Sequence, residues 1–590
     1  MAHVHRFDVV IVGAGGAGLR AALEVPREYS CAVLTKVFAS RSHTGTAQGG
    51  VCAALSNEEE DKPIWHVYDT VKGSDYLGDQ DAIEIMCEDA PRAIIELEHM
   101  GLPFSRTPAG KIAQRRFGGH TRDYGDSPVR RACYSADRTG LVMQHTLFEN
   151  CLKQHVNFFH EYHLTDLIVR DGKAVGLVAI NMLDQELHVF HAKAILIATG
   201  GFGRAYRITS NAHAGTGDGM WLAWQAGIPL EDMEFVQFHP TGLWKLGILV
   251  SEAARGEGGI LRNKDGEAFM ERYAPSVKDL APRDMVSRSI VTEIREGRGI
   301  HAPDGTQYVH LDLTHLGEDV INHKLPEITG FARTYLGVEP LREPIPVTPT
   351  CHYAMGGIPT NADAEVLANA DGDIIEGLYS AGETACVSVH GANRLGTNSL
   401  LDIIVFGRRG GKAIAKYLNS GADYAPIPVG VEERTRDRIE QLIRGNGNES
   451  VPKLRAELQE LMTKNVGEFR NDADLKVAIE KLNELKQRCL RTKVHDDSPV
   501  FNTELTEAFE LDSLVNIADA IARSALNRTE SRGAHSREDY PERRDDEWLK
   551  HTMIHRSESG ETQFSYKDVN LKLWKDDGDA EHFKPKPRTY

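Results

Sequence analysis

The 590-residue sequence predicts an α/β protein: a Rossmann-like domain, an inserted α+β capping domain, a helical domain and an extended C-terminal region. Three observations predict it. From Phe7 to Gly201, short Val/Ile/Ala-rich runs alternate with glycine-rich turns and helical patterns, as a parallel sheet with crossover helices requires. That rhythm breaks between Asp232 and Pro346 and resumes at Gly377. From Val431 to Arg491 apolar residues recur at helical spacing.

Phe7-Asp-Val-Val-Ile-Val12 reads as the first strand. It runs into Gly13-Ala14-Gly15-Gly16-Ala17-Gly18 and a helical pattern from Leu19 to Glu24. In this G-x-G-x-x-G turn Gly13 makes the bend, Gly15 lets backbone approach a pyrophosphate and Gly18 lets helix pack on strand. The helix N-terminus offers the phosphates free N–H groups and a partial positive charge. After the second strand, Cys31–Leu34, come Thr35 and Lys36, where an NAD-binding chain usually carries an acid, so a nicotinamide dinucleotide is disfavoured. Ala194–Ile197 running into Ala198-Thr-Gly-Gly201 resembles the second fingerprint of two-dinucleotide-binding flavoproteins. Gly377–Glu383 resembles their late strand, whose acid, here Glu383, holds the ribose or ribityl chain. The implied cofactor is FAD.

The stretch 232–346 holds glycine-rich and charged loops, Gly256–Gly259 and Asn263–Gly266, and reads as the insertion. The FAD-binding domain is then discontinuous, 1–231 and 347–425, with the cap at 232–346. A helical domain spans 426–545, where Ile479, Leu482, Leu485 and Cys489 share one helix face, and a C-terminal region spans 546–590. Ser531–Arg544, crowded with charge, and Lys584–Arg588, with two prolines, read as an extended surface tail.

Composition excludes several classes. A net charge of -18 argues against nucleic acid or an anionic membrane as the main partner, so an anionic substrate needs a local cationic pocket. No apolar stretch approaches the roughly 18 residues of a spanning helix, and the N-terminus enters a strand without a signal-peptide core. The chain is therefore expected on the cytosolic side, held at a membrane only by another protein. Eight scattered cysteines without a C-x-x-C pair encode neither a zinc site nor an iron–sulfur cluster and read as reduced, buried thiols. No metal is expected, and any electron relay beyond the flavin belongs to another polypeptide.

The loop Arg41-Ser42-His43-Thr44-Gly45, followed by Ala47-Gln48-Gly49-Gly50, closely resembles the flavoprotein subunits of succinate dehydrogenase and fumarate reductase. The resemblance runs from Phe7 to Trp548 through Gln237-Phe-His-Pro-Thr-Gly242, Arg255-Gly-Glu-Gly-Gly259, Pro349-Thr-Cys-His-Tyr353, Gly391-Ala-Asn-Arg-Leu-Gly396 and Glu530-Ser-Arg-Gly-Ala-His535. It implies FAD covalently joined to His43, with Ser42, Thr44, Gln48, Gly49 and Gly50 beside it. Asp218, Ser399 and Leu400 are further implied cofactor contacts. The histidyl link raises the flavin potential in that family, and its absence marks noncovalent relatives such as L-aspartate oxidase.

The same resemblance implies that His239, Ser251, His352 and Arg394 hold the substrate, and that Phe104 of Gly101-Leu-Pro-Phe-Ser105 packs beside substrate and flavin. Succinate carries a carboxylate at each end, which suits the bidentate fork of arginine. Oxidation removes a hydride to the flavin and a proton from the neighbouring carbon. The implied base is Arg283 in Ala281-Pro-Arg-Asp-Met285, relayed through Glu252 and Arg255. An arginine base needs help, because a free guanidinium keeps its proton to above about pH 12; a closed cleft with cations at Arg255 and Arg394 would supply it. The cap is then a mobile lid.

Implied partners are an iron–sulfur subunit and a membrane anchor with quinone, at the cytoplasmic face of a bacterial inner membrane, with succinate and fumarate as the small molecules. Gln48 leans toward the dehydrogenase branch, where reductases often carry Glu. The alternatives are a quinol:fumarate reductase, a NAD-linked Rossmann dehydrogenase and a noncatalytic flavin-bearing assembly subunit.

Overall fold

A computed structural model describes residues 2–576 and 580–588. Its centre is a parallel run of five strands in the order 157–160, 31–35, 3–12, 187–197 and 374–380. An antiparallel flap of 162–170 and 173–181 is laid against 187–197. Val9, Val10 and Ile11 are 0% exposed, so the run is apolar at consecutive positions and does not alternate, as expected for strands covered on both faces. The strand at 374–380 arrives from far along the chain yet sits in register beside Ile195–Ile197. A distant segment thus completes the central sheet.

Two glycines of the first turn are obligatory for different reasons. Gly13 sits at φ +111°, and a Cβ there would lie 2.1 Å from the Ala198 carbonyl oxygen. At Gly18 a Cβ would come 2.0 Å from the Gly13 oxygen, so its absence lets the helix Gly16–Ala22 press on the strand.

The cap is built on a five-stranded antiparallel sheet of 236–243, 345–354, 307–312, 260–262 and 300–301. It has its own apolar cluster, including Leu243, Leu261, Ile290, Val309 and Val347. The boundary drawn from composition at residues 346 and 347 needs correction, because it falls inside the strand Ile345–Ala354. That strand pairs with the cap from Val347 to Ala354, and at its end Ala354 N–H also donates to Glu383 of the first domain (3.0 Å). Composition marks where chemistry changes, whereas a strand can serve two layers.

Four helices, Glu433–Arg444, Val451–Asn465, Asp472–Cys489 and Thr503–Asn527, form the helical part. Leu482, Leu485 and Cys489 are buried on one face and Ile479 packs at its edge. All eight cysteines are free and buried.

Part of the charged C-terminal stretch is buried, against what its composition suggests, and 538–542 are exposed. Arg532, His535 and Arg537 are at most 1% exposed and Glu530 is 0% exposed. Arg532 donates to Glu530 (2.7 Å) and Asp545 (2.7 Å), Arg537 to Asp539 (2.8 Å), and Arg528 to Glu234 (2.6 Å) and Glu530 (3.0 Å). Burial is tolerated because each charge is paired. In the final segment Lys584 and Lys586 are exposed, but Arg588 turns inward onto Asp284 (2.7 Å). The hairpin 550–556/562–568 adds to Leu230–Glu231 at the edge of the first domain.

His551 anchors this hairpin, its Nδ1 2.6 Å from Asp232 and its Nε2 3.1 Å from Asp79. Burial alone would lower its pKa, but Asp232 and Asp79 outweigh it and raise it to about 10. The folded value lies above the unfolded 6.5, so the stabilisation is fully present below about pH 6.5 and is lost as pH rises through 10. His551→Ala is expected to cost about 3–5 kcal/mol by stranding buried carboxylates. Chemical denaturation of the two proteins should show that gap narrowing from pH 6.5 to 10.

Candidate active site

A cavity of about 800 Å³ opens where the first turn, the 42–50 loop, the cap and the 391–400 segment meet. The glycine turn, from Gly13 through Ala17, forms one end, and Gly18 stays behind it as a packing residue. Ser42 donates to the Ala14 carbonyl (2.9 Å) and Thr44 Oγ1 accepts from Gly16 N–H (3.0 Å), so the histidine loop is stapled to the turn. Gln144, which belongs to no recognisable motif, donates to the same Ala14 carbonyl (2.7 Å). Thr35 and Lys36 also line the cavity, the Lys36 ammonium held by Asp218 (2.7 Å) and by Glu510 (2.8 Å) of the helical part.

His43 projects along this wall. Its Nδ1 accepts from the Ala212 N–H (3.3 Å) and lies 3.1 Å from Thr46 Oγ1. Burial pushes the imidazole down to about 4, so it is neutral at ordinary pH, and accepting at Nδ1 places its one proton on Nε2. Gln48 reaches across to accept from Ser251 N–H (3.2 Å), and Gly49 and Gly50 follow on the same wall. Adding a Cβ at Gly49 would bring it 2.8 Å from Phe117.

The far end is cationic and lined with imidazoles. His239 and His352 lie edge to face with ring centres 5.1 Å apart. The His239 Nδ1 accepts from Thr241 N–H (3.2 Å), which leaves its Nε2 buried without a partner. Ser210 Oγ lies 2.7 Å from His352 Nδ1. Arg394 donates to Ser399 (2.9 Å), stands over the Tyr353 ring at 4.4 Å and keeps its Nε unpartnered. Burial, then the neighbouring Arg283, lower its pKa to about 9. Unpartnered buried donors facing a cavity are accounted for by a polar ligand.

Arg283, at the start of the cap helix Arg283–Arg295, also lines the cavity, its Nε 2.8 Å from Glu252 and its Nη1 3.1 Å from Gln237 Oε1. Glu252 in turn accepts from Gly118 N–H (2.8 Å) and lies 3.8 Å from Arg255. Burial would raise the Glu252 pKa, but Arg283 and Arg255 hold it below the usual range, so it is a carboxylate. Glu252 and Arg255 stand behind Arg283, outside the cavity wall. The three groups form a string leading away from the cavity.

One sequence expectation fails here. Phe104 is 4% exposed in an apolar cluster with Ile94, Leu97 and Leu102, outside the cavity lining. Aromatic rings that do line the wall include Phe117, Phe331 and Tyr353. The Phe117 segment, Arg115-Arg-Phe-Gly-Gly119, had the same signal as the other site loops, an aromatic beside paired glycines. Thr397, between Arg394 and Ser399, was also passed over. It adopts φ +67°, a strained choice for a β-branched residue that recurs at binding sites.

These residues fit FAD. The cavity accommodates an extended dinucleotide, the glycine turn presents backbone to a pyrophosphate, and Asp218 and Glu383 face the same space. Burial raises Glu383 to about 7 against one hydrogen bond from Ala354 N–H (3.0 Å), a poised carboxyl suited to sugar hydroxyls.

Comparison with known proteins agrees. The FAD binding domain family matches residues 8–400, and the fumarate reductase flavoprotein C-terminal family matches 455–590. The succinate dehydrogenase flavoprotein subunit of Rickettsia bellii is 49% identical over 99% of this chain and 98% of its own. A fumarate reductase flavoprotein subunit of Mycobacterium tuberculosis is 41% identical over 96% of this chain and 98% of its own. Among solved structures, the flavoprotein of E. coli quinol fumarate reductase superposes with a TM-score of 0.90 at 40% identity, covering 96% of this chain and 97% of that one. Mycobacterium smegmatis Sdh1 in complex with UQ1 gives 0.84 at 36%, covering 99% and 100%.

Proposed function

We propose, from the premise that this chain belongs to the flavoprotein family shared by succinate dehydrogenase and fumarate reductase, a reading in which each wall of the cavity has one task. The chain is an FAD-dependent oxidoreductase that oxidises succinate to fumarate. FAD, held covalently through His43, supplies the hydride acceptor.

The observation that carries the reading is the opposition of two sets of groups across one cavity. His239, His352, Ser251 and Arg394 bind and orient a dicarboxylate, each end meeting a positive or hydrogen-bonding group. Arg283, having first given a proton to Glu252 for relay to Arg255, faces the methylene as a neutral guanidine and takes the proton that carbon loses. Phe117 fills the apolar side of the site and excludes water. The strand carrying His352 continues into the cap sheet, which supports a lid that assembles the site as it closes.

Electrons pass from the flavin to a partner iron–sulfur subunit and on to a quinone at a membrane anchor, at the cytoplasmic face of a bacterial inner membrane. A relative solved with UQ1 supports quinone as the acceptor. No helix among the described residues is long and apolar enough to cross a membrane. Gln48 and the higher identity to succinate dehydrogenase subunits favour oxidation as the working direction.

The deciding experiment compares succinate–acceptor with quinol–fumarate turnover of the assembled complex. A ratio in favour of fumarate reduction would assign the other branch, and bleaching of flavin absorbance by NADH but not by succinate would overturn the reading altogether. Arg394→Ala should raise the KM for succinate roughly 10- to 150-fold, the loss of a charge-assisted contact of about 1.5–3 kcal/mol. Steady-state kinetics with the flavin content matched would measure it.

A further inference from the structure

Outside the cavity lining, the first strand begins with two histidines on one face, His3 and His5, and its neighbour contributes His188 in register with His3. The turn before that neighbour carries Asp184 and Glu186. His3 Nε2 lies 2.5 Å from Glu186 Oε2, and its ring stacks on His188 with centres 4.9 Å apart. Asp184, Glu186 and His188 each bring a ligand atom within 4.8 Å of the others. None of the five residues lines the active-site cavity.

His188 sets this cluster apart from an ordinary charged turn. It is 7% exposed and its Nδ1 lies 2.8 Å from His5 Nε2, while its own Nε2 is buried with no partner. When His188 donates through Nδ1 to His5, its lone pair is fixed on Nε2. That is the arrangement of a metal-binding histidine whose second nitrogen is oriented by an outer hydrogen bond. The turn is shaped around the acids: Asp184 accepts from Glu186 N–H (3.0 Å) and from Asn181 (3.1 Å), and Gln185 takes a positive φ of 60°.

We propose that His3, His188, Asp184 and Glu186 form a binding site for a divalent transition-metal ion of the zinc class, with His5 as the group that orients His188. Two imidazoles and two carboxylates match the nitrogen and oxygen donors such an ion takes in four-coordinate geometry, and the two carboxylates balance its charge. Hard cations such as Mg²⁺ prefer oxygen ligands in octahedral geometry and gain nothing from the imidazoles. Closing the ligands onto the ion requires movement only of Asp184, Glu186 and His3, all exposed. The ion would tie the start of the first strand to a turn that itself contacts the helical part, through Gln185 to the Ser498 carbonyl (2.5 Å).

The test uses the untagged, flavin-loaded full chain, stripped with a chelator and titrated calorimetrically with Zn²⁺, then with Mg²⁺. One equivalent of Zn²⁺ is expected, with no comparable Mg²⁺ binding. Glu186→Gln and His3→Ala, both at exposed positions, should each weaken it at least tenfold, and His5→Phe by about 10- to 100-fold as an orienting partner. Succinate turnover of all three should match the parent. A wild-type chain that binds no Zn²⁺, equal Mg²⁺ binding, or an Asp184→Asn/Glu186→Gln double variant with the parent isotherm would each overturn the site.

Discussion

Replacing Arg283 with alanine is expected to lower succinate turnover by a factor of roughly a hundred to ten thousand, the range for removing a positioned general base. Flavin content should be unchanged. The size of the loss follows from geometry: Arg283 is the only member of the Arg283–Glu252–Arg255 string on the cavity wall, so nothing else in that string can reach substrate. Alanine also strands the buried Glu252 carboxylate, which makes the variant a stability lesion as well. Arg283→Lys separates the two effects. It keeps a cation near Glu252 but loses the planar fork that bonds Glu252 and Gln237 together, so folding should recover while kcat stays depressed. Turnover of Arg283→Ala equal to the parent, at matched flavin, would remove Arg283 from the chemistry.

The second large effect concerns His43. In His43→Ala the flavin should dissociate when the purified chain is denatured in acid, whereas in the parent the yellow colour migrates with the polypeptide. The glycine turn, Glu383 and the Asp218 region do not depend on that imidazole, so FAD should still bind the native variant. Succinate oxidation should fail, because an untethered flavin is a weaker oxidant for an unactivated carbon–hydrogen bond. Colour that stays with denatured His43→Ala would place the link elsewhere.

The parts of the site legible in the sequence are those where backbone must come close to something. Gly13, Gly18 and Gly49 stand where a Cβ would collide, and such collisions leave a spacing that can be read without a structure. His43 was legible only through the resemblance of its Arg41-Ser-His-Thr-Gly45 loop to the flavoprotein family. Phe104 was misassigned because an aromatic in a Gly-Leu-Pro-Phe loop packs equally well into a core or onto a cofactor; only tertiary context puts Phe104 with Leu97 and Phe117 in the cavity. The burial of Arg532 and Arg537 was illegible on principle. A charged residue reads as solvated until its partner is known, and Arg532 finds one of its acceptors in the Asp75 carbonyl, 457 residues away.

That long reach has a consequence for how the molecule is made. His551 closes on Asp232 across 319 residues, which at a synthesis rate of about 5–20 residues per second is roughly 16–64 s of translation. During that time Glu231, Asp232 and Asp79 await their counter-charges, and the central sheet lacks its strand at 374–380 until later still than the nucleotide turn. The nascent chain therefore owns a phosphate cradle long before it owns a closed fold. Closure of the cavity waits for Glu383, Arg394 and Leu400, which line it from late in the chain, and truncation near the C-terminus is expected to injure flavin retention from a distance.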